Sequence, residues 1–191
     1  MGVYGKTKGT ELESFVNMAV SAESMGGMMY YALSDIAERF GLKDVVEQLT
    51  GLGNQEMRHA GYYATLNGKY PGDTESFWKV IHGIGKAEFK GEERVNEFAA
   101  MLEEAGLADA ASAVRKFALQ ERHHGEVIRA ILAEHAPERF RGGAAPEGEP
   151  VYVCSCCGFE YVGDIGAEPA NYTCPVCAAA KSAFKPGKST D

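Results

Sequence analysis

Two Glu-x-x-His motifs are the part of this chain whose residue types and spacing could do chemistry. They are Glu56 with His59, and Glu121 with His124. Residues three positions apart share one face of a helix, so each motif aims a carboxylate and an imidazole at the same point. One such motif is common in helical proteins, but two of them in the middle of two predicted helices indicate a shared metal site.

A single glutamate near the middle of each remaining helical segment completes the set: Glu23 in the first and Glu88 in the third. Four carboxylates and two histidines are the ligand array of di-iron and di-manganese sites in four-helix bundles. Carboxylate oxygens and imidazole nitrogens suit both metals. The alternative is a set of solvated glutamates with core or surface histidines. Because Met25 and Met29 extend an apparent inward-facing stripe around Glu23, we favour the metal site.

Two cysteine pairs near the C-terminus predict a second, separate metal site: Cys154 with Cys157, and Cys174 with Cys177. Cytoplasmic thiols stay reduced, so clustered pairs there indicate metal ligands rather than disulfides. Four thiolates in tetrahedral geometry suit zinc or a single iron, and the spacing does not distinguish them. Cys156 is surplus to this set and is predicted to be a free thiol.

Four long helices must position the carboxylates and histidines. The first two are separated by Gly41, and Asn67-Gly68 with Pro71-Gly72 end the second. Gly83 and Gly85 make the first turns of the third helix doubtful. The predicted helices run from a capping box at residues 10–13 to residue 40, from about 43 to 67, from about 74 to 105, and from about 108 to 136.

The sequence therefore predicts a mainly α fold, a ferritin-like four-helix bundle followed by a small β-rich domain. With 191 residues, the chain has room for one ordinary domain and one small one. The boundaries that we predict are a bundle over 1–140, a Pro/Gly-rich linker over 141–150 and a four-cysteine domain over 151–191. The last piece is too short to bury a sufficient core, so it should need its metal to fold.

Charge and hydropathy exclude several partners. The formal net charge is −8, and no basic stripe is available to neutralise phosphates, which argues against nucleic acid. No apolar run approaches the roughly 20 residues that a membrane span needs. The N-terminal sequence has no apolar signal core. We expect a cytoplasmic protein with no membrane partner.

The bundle motifs, the linker and the terminal cysteine pairs together resemble the rubrerythrin family over essentially the whole chain. The segments that carry the resemblance are Ala22-Glu23-Ser24 with Tyr30, Asn54 to Ala60, Phe98-Ala99, Glu103 to Gly106, and Glu121 to His124. Cys174-Pro175-Val176-Cys177 and the surrounding aromatic residues resemble rubredoxin, which implies iron in the four-cysteine site.

The resemblance also implies roles for the bundle residues. Glu56 and Glu121 would bridge two iron ions, and His59 and His124 would bind one ion each. The remaining glutamates, Glu23 and Glu88, would be terminal ligands.

The chain departs from the family pattern at two places. The family carries a further glutamate three positions after the third-helix ligand, where this chain has Gly91. Glu92 could replace it as a ligand if the helix has a local π-bulge, and the alternative is a solvated charge. Ala178 stands where rubredoxin-like sites often have glycine after the last cysteine.

Tyr30 is predicted either to hydrogen-bond a ligating carboxylate or to be a core tyrosine.

The family resemblance implies a non-haem di-iron peroxidase that reduces hydrogen peroxide to water. The thiolate-bound iron would return electrons one at a time, with NADH as the indirect source through a separate reductase or rubredoxin. No Gly-x-Gly-x-x-Gly fingerprint occurs, so we do not expect the chain to bind the nucleotide itself. The alternatives are a ferroxidase of ferritin type and, outside catalysis, a zinc-ribbon adaptor on a helical bundle.

The short connection between the second and third helices bears on assembly. In the ferritin-like layout that connection must span roughly 37 Å, whereas residues 68 to 73 reach only about 20 Å when fully extended. Either residues 74 to 80 are unwound, or helices 3 and 4 dock onto helices 1 and 2 of a second chain. We favour a domain-swapped homodimer.

Overall fold

The computed structural model describes residues 2–187 and confirms the predicted class, because four long helices precede a small antiparallel sheet. The chain forms two compact units, Met1–Gly72 and Asp73–Asp191. The predicted boundaries of bundle, linker and cysteine domain stay a prediction. The helices are α1 (Glu13–Arg39), α2 (Lys43–Leu66), α3 (Thr74–Glu104), α4 (Ala108–His135) and α5 (Glu138–Arg141), and the strands are β1 (Val151–Cys154), β2 (Glu160–Val162) and β3 (Phe184–Pro186).

The first unit is a hairpin of α1 and α2. Gly41 closes it with a φ of +73°, a conformation that costs glycine little. The helices approach closely through small residues, since a Cβ at Gly27 would lie 2.8 Å from the sulfur of Met57. Ser34 is buried between the helices and donates to the Val46 carbonyl at 3.2 Å. Small residues therefore set the separation at which Glu23 of α1 faces Glu56 and His59 of α2.

The start of α1 differs from the predicted capping box. Leu12, not Thr10, occupies the N-cap position, and its side chain makes no cap hydrogen bond. The side chains of Thr10 and Glu13 instead accept hydrogen bonds from backbone amides that precede α1. Thr10 Oγ1 accepts from the Leu12 amide at 3.2 Å, and Glu13 accepts from the Gly9 amide at 2.6 Å. The residues 7–10 already form hydrogen-bonded turns, which moves the first helical residue to Glu13.

α3 is one continuous helix from Thr74, so the first turns that Gly83 and Gly85 made doubtful are helical. Asp73 caps it by accepting from the Ser76 amide at 2.8 Å. Gly83 and Gly85 are both buried inside the helix. They are required by packing rather than by flexibility, because a Cβ at Gly83 would overlap the Glu160 carbonyl and the Phe159 ring.

The C-terminal sheet has the order β2-β1-β3, and both pairings are antiparallel. Its core contains Phe159, Phe184 and two of the cysteines, and it continues onto α3 through Ile84 and Ala87. The cysteine region and α3 thus share one hydrophobic core within the second unit. Across residues 2–187, the structure contains no helix with the length and apolar content that crossing a membrane requires.

Candidate metal centres

The first candidate centre lies between α1 and α2. His59 Nδ1 is 3.3 Å from Glu56 Oε2 and 3.6 Å from Glu23 Oε2. One possible ligand atom from each of these three residues lies within 4.8 Å of the others. Glu56 and His59 meet because they are one helical turn apart on α2, and Glu23 reaches them from α1. The three side chains could hold one metal ion.

The second candidate centre repeats this arrangement between α3 and α4. His124 Nδ1 is 3.2 Å from Glu88 Oε2. Glu88, Glu121 and His124 again offer ligand atoms within 4.8 Å of one another. In both triads one helix supplies a glutamate and the next supplies a Glu-x-x-His motif. The structure thus groups all six residues into two equivalent sets of two carboxylates and one imidazole.

The carboxylates within each triad perturb one another. A hydrogen bond with Glu56 raises the pKa of Glu23, whereas hydrogen bonds from Glu23 and then His59 lower the pKa of Glu56. In the second triad, burial and then the neighbouring Glu88 raise the pKa of Glu121. Two carboxylates this close favour sharing a proton, and a divalent cation would replace that proton. The donor sets therefore fit a hard, positively charged metal ion.

Gly91, three positions after Glu88, makes room for the opposing carboxylate, whereas Gly26, three positions after Glu23, would accept a Cβ at ordinary contact distance. A Cβ at Gly26 would lie 3.5 Å from Glu56 Cγ, and one at Gly91 would lie 2.8 Å from Glu121 Oε2. The glycine spacing after Glu23 and Glu88 is visible in the sequence, but the steric role of Gly91 depends on its contact with Glu121 of α4. The space for a further glutamate at position 91 is filled by Glu121.

The structure does not bring Glu92 to the second triad. Its carboxylate accepts from Arg122 Nε at 2.8 Å, and the Arg122 Nη2 lies 2.7 Å away. α3 is α-helical throughout, with no π-bulge to redirect residue 92. A ligand role for Glu92 stays a prediction, and it would require breaking the ion pair with Arg122.

Two expectations about the first triad's surroundings are not met. Tyr30 is half-buried, and its hydroxyl makes no hydrogen bond within residues 2–187, whereas Tyr31 donates to Asn54 Oδ1 at 2.8 Å. The stripe beside Glu23 is exposed rather than inward-facing: Met25 is 60% and Met29 is 47% accessible. A hairpin of two helices has no third element of its own to cover that stripe.

The four-cysteine site has the geometry that a tetrahedral metal needs. Cys154 Sγ lies 3.7 Å from Cys177 Sγ, and Cys157 Sγ lies 3.5 Å from Cys174 Sγ. Metal–sulfur bonds of about 2.3 Å place sulfurs about 3.8 Å apart at the edges of a tetrahedron. The four ligand atoms all fall within 4.8 Å of one another. These residues therefore form one compact thiolate cage.

Backbone amides donate hydrogen bonds to the cysteine sulfurs in these two turns. Burial raises the pKa of Cys157 despite a hydrogen bond from the Phe159 amide. Burial also raises the pKa of Cys174. For Cys177 burial acts in the same direction, but hydrogen bonds from the Ala179 amide and the other thiols lower the pKa overall. Buried thiols with amide donors are suited to a bound cation that keeps them as thiolates.

The two cysteine turns have the same backbone hydrogen bond in spite of the Ala178 departure. The Gly158 amide donates to the Cys154 carbonyl at 2.8 Å, and the Ala178 amide donates to the Cys174 carbonyl at 2.9 Å. Ala178 adopts the left-handed conformation, with φ at 58°, that glycine would adopt at lower cost. Cys156 is exposed and lies outside the cage, as predicted.

The geometry defines a helical carboxylate–histidine metalloprotein with an attached rubredoxin-like centre. The rubrerythrin family profile matches residues 14–132. A protein named rubrerythrin from Porphyromonas gingivalis is 27% identical over 193 residues, which cover 95% of this chain and 92% of that protein. An uncharacterised protein of Methanocaldococcus jannaschii is 29% identical over 128 residues, covering 67% of this chain and 89% of the relative.

This chain belongs to the rubrerythrin family. Family membership and the donor sets together support two iron ions at the carboxylate–histidine ligands and one iron in the four-cysteine cage.

Proposed function

We propose that this protein is a non-haem di-iron peroxidase that reduces hydrogen peroxide to water and receives electrons through its four-cysteine iron. The observation that carries the proposal is the packing of the thiolate cage against α3, the helix that supplies Glu88. A storage protein has no need for an electron carrier in this position. The family match supports the same class of oxidoreductase.

Reduction of one hydrogen peroxide molecule consumes two electrons and two protons and yields two water molecules. A pair of ferrous ions, when bound, supplies both electrons to the O–O bond. The triads hold the ions with carboxylates that can adjust their coordination, and each imidazole provides a neutral ligand. Gly91 leaves the Glu121 carboxylate the space that a side chain at position 91 would otherwise occupy.

Contacts between α3 and the cysteine region support an electron route within the second unit. Gly158, which follows Cys157, lies against Lys90, one half-turn beyond Glu88 on α3; a Cβ at Gly158 would be 2.8 Å from Lys90 Cβ. Arg94 Nη2 donates to the Ser155 carbonyl at 3.1 Å. These contacts hold the thiolate site beside the helix that carries a metal ligand, so re-reduction can proceed one electron at a time.

The electron donor in this proposal is a separate protein, either an NADH-dependent reductase or a rubredoxin, and the setting is the cytoplasm. The four-cysteine cage suits such an encounter because Cys177 is exposed. Amide hydrogen bonds to the sulfurs stabilise the additional negative charge of the reduced iron–thiolate site and so tune its reduction potential.

We further propose that each di-iron site takes one triad from each of two chains in a domain-swapped homodimer. The helical start of α3 at Thr74 supports this proposal, because a helix at residues 74–80 does not lengthen the connection as an unwound segment would. Six residues therefore remain between Asn67 and Thr74, which span about 20 Å. The exposed stripe at Met25 and Met29 provides an apolar surface for a second helix pair.

Selective metal replacement tests the peroxidase proposal. We expect a protein with zinc in the cysteine cage and reduced iron in the triads to be oxidised once by peroxide, with water as product. Donor-driven turnover should be lost, because zinc has no redox chemistry. The control is the all-iron protein prepared in the same way. Undiminished turnover of the zinc form would show that the cage is not the relay.

The ferroxidase alternative makes a different prediction in the same preparation. It requires ferrous iron and dioxygen to be consumed together, with iron accumulating beyond the two bound ions. A zinc-ribbon adaptor would purify colourless, whereas ferric thiolate is red. Failure of reduced iron in the triads to react with peroxide would refute the peroxidase.

A further inference from the structure

A cavity of about 420 Å³ lies between α3, α4 and the segment after α5, within the second unit. His82, Lys86 and Phe89 line it from one face of α3, and Arg129 lines it from α4. Gly142 and Gly143 form another part of its wall. Its size falls in the range of about 300–1,000 Å³ that is usual for small-molecule sites. None of the metal ligands lines it.

The charges in this cavity are unbalanced. Neither Lys86 nor Arg129 forms an ion pair within residues 2–187, and no carboxylate lines the cavity, although the charge of Lys86 helps to lower the pKa of Glu160. Several other cations on the same helices are paired with carboxylates, including Arg122 with Glu92 and Lys90 with Glu93. The Arg129 guanidinium lies over the Phe89 ring, 4.7 Å from its centroid, and this contact fixes its position. Arg129 has no carboxylate partner and Lys86 interacts only at longer range with Glu160, so a cavity lined by both cations favours an anionic occupant.

His82 adds a second, independent observation. It is 99% buried, and its Nε2 lies 3.3 Å from Glu160 Oε2. That carboxylate, whose pKa is lowered by this hydrogen bond, can only accept, so Nε2 carries the proton. The other ring nitrogen, Nδ1, is buried with no hydrogen-bond partner in the described structure. Buried polar atoms almost always have a hydrogen-bond partner. The buried Nδ1 of His82 therefore indicates that a ligand atom provides its missing hydrogen bond.

We propose that this cavity binds a small organic acid, with its phosphate or carboxylate group held by Lys86 and Arg129. A hydroxyl or acidic proton of the ligand would donate to His82 Nδ1, and the face of Phe89 would contact the organic part. An inorganic oxyanion alone would leave most of the cavity unfilled. The site is separate from the metal chemistry, because none of the six bundle ligands or four cysteines lines it.

Phenyl phosphate and benzoate are suitable probes for this proposal. They share an aromatic ring and differ in the anionic group. Calorimetric titration of the full-length iron-loaded protein should show one saturable site for at least one of them. Lys86→Gln and Arg129→Gln should each weaken binding about tenfold or more, because a charge-assisted hydrogen bond is lost. Lys116→Gln is the matched control, since it makes the same change on exposed α4 surface away from the cavity.

Ferric absorption and metal content distinguish binding in this cavity from binding at the iron ions. Absorption bands of the ferric ions should stay unchanged while the probe binds, and the metal content of each variant should match the wild type. Retained affinity in both cavity variants, together with shifted ferric bands, would place the probe on the metals and overturn the proposal. Absence of saturable binding of either probe at millimolar concentration would overturn it as well.

Discussion

Gly91 lies directly against the carboxylate of Glu121, so closely that a Cβ at position 91 would be 2.8 Å from Glu121 Oε2. Gly26, at the corresponding position of the first triad, is less crowded, because a Cβ there would meet Glu56 Cγ at an ordinary contact distance of 3.5 Å. Gly91 therefore clears the position of the carboxylate of one Glu-x-x-His motif. The family's further glutamate has no space at position 91 while Glu121 stays in place.

Replacing Gly91 with alanine should displace the Glu121 carboxylate and lower the iron content of the bundle ligands. Iron in the four-cysteine cage should be unaffected. Gly51→Ala is the matched control, because a Cβ there meets nothing within 4 Å. That control should instead gain about 0.5–1 kcal/mol of stability from helix propensity. Full iron occupancy in Gly91→Ala, measured by elemental analysis, would contradict the steric role of Gly91.

Mixing two inactive variants tests the shared site. Glu56→Ala and Glu121→Ala should each lose bundle iron, because each removes the head of one Glu-x-x-His motif, while retaining iron in the cysteine cage. Exchange between the two variants should restore one intact pair of triads in each swapped heterodimer. Peroxidase activity and iron content of the mixture provide the measurement. If the subunits exchange but neither the activity nor the iron content recovers, the triads do not combine between chains.

Ala178→Gly should stabilise the cysteine region. Ala178 has a φ of 58°, where a side chain costs about 1 kcal/mol or more relative to glycine. The greater freedom of glycine in the unfolded chain offsets part of this gain. We expect the free energy of unfolding of this region to rise by up to about 1 kcal/mol. Slower loss of the red ferric absorption in denaturant would report the change. Ala180→Gly, at an extended residue with φ of −62°, should destabilise the same region and serves as the control.

Metal removal should give the protein an unusual dependence on pH. In the metal-free form, burial and Glu88 raise the pKa of Glu121 above its ordinary value. The folded state then binds more protons than the unfolded state between the ordinary pKa and the raised one. This contribution to stability is present at acidic pH and is lost as the pH rises through the folded-state pKa.

Thermal unfolding of the metal-free protein measures this effect. Its midpoint should fall as the pH rises from about 4.5 towards neutrality. Glu121→Gln should flatten this dependence, because the amide does not titrate, and iron should reverse it by replacing the proton. The same slope in the wild type and in Glu121→Gln would assign the effect to other groups.

The sequence by itself determined the ligands and the helices that carry them. Helical periodicity places Glu56 with His59, and Glu121 with His124, on single faces regardless of what surrounds the helix. The Cys-x-x-Cys spacing likewise defines a metal-binding turn locally, and even Ala178 preserves its hydrogen bond. The helix ends were readable from Gly41, Gly106 and Pro137, because these residues restrict the backbone wherever they occur.

Tertiary structure decided what depends on neighbours distant in sequence. Gly83 and Gly85 suggest a weak helix by propensity, yet contacts with Glu160 and Ile128 make them necessary inside a continuous α3. Glu92 stands one turn from Glu88, but Arg122 on α4 pairs with it instead. His82 carried no sequence signal, and only the packing of α3 against β2 buries it beside Glu160. Local patterns specify which side chains share a face, whereas the fold specifies what they meet there.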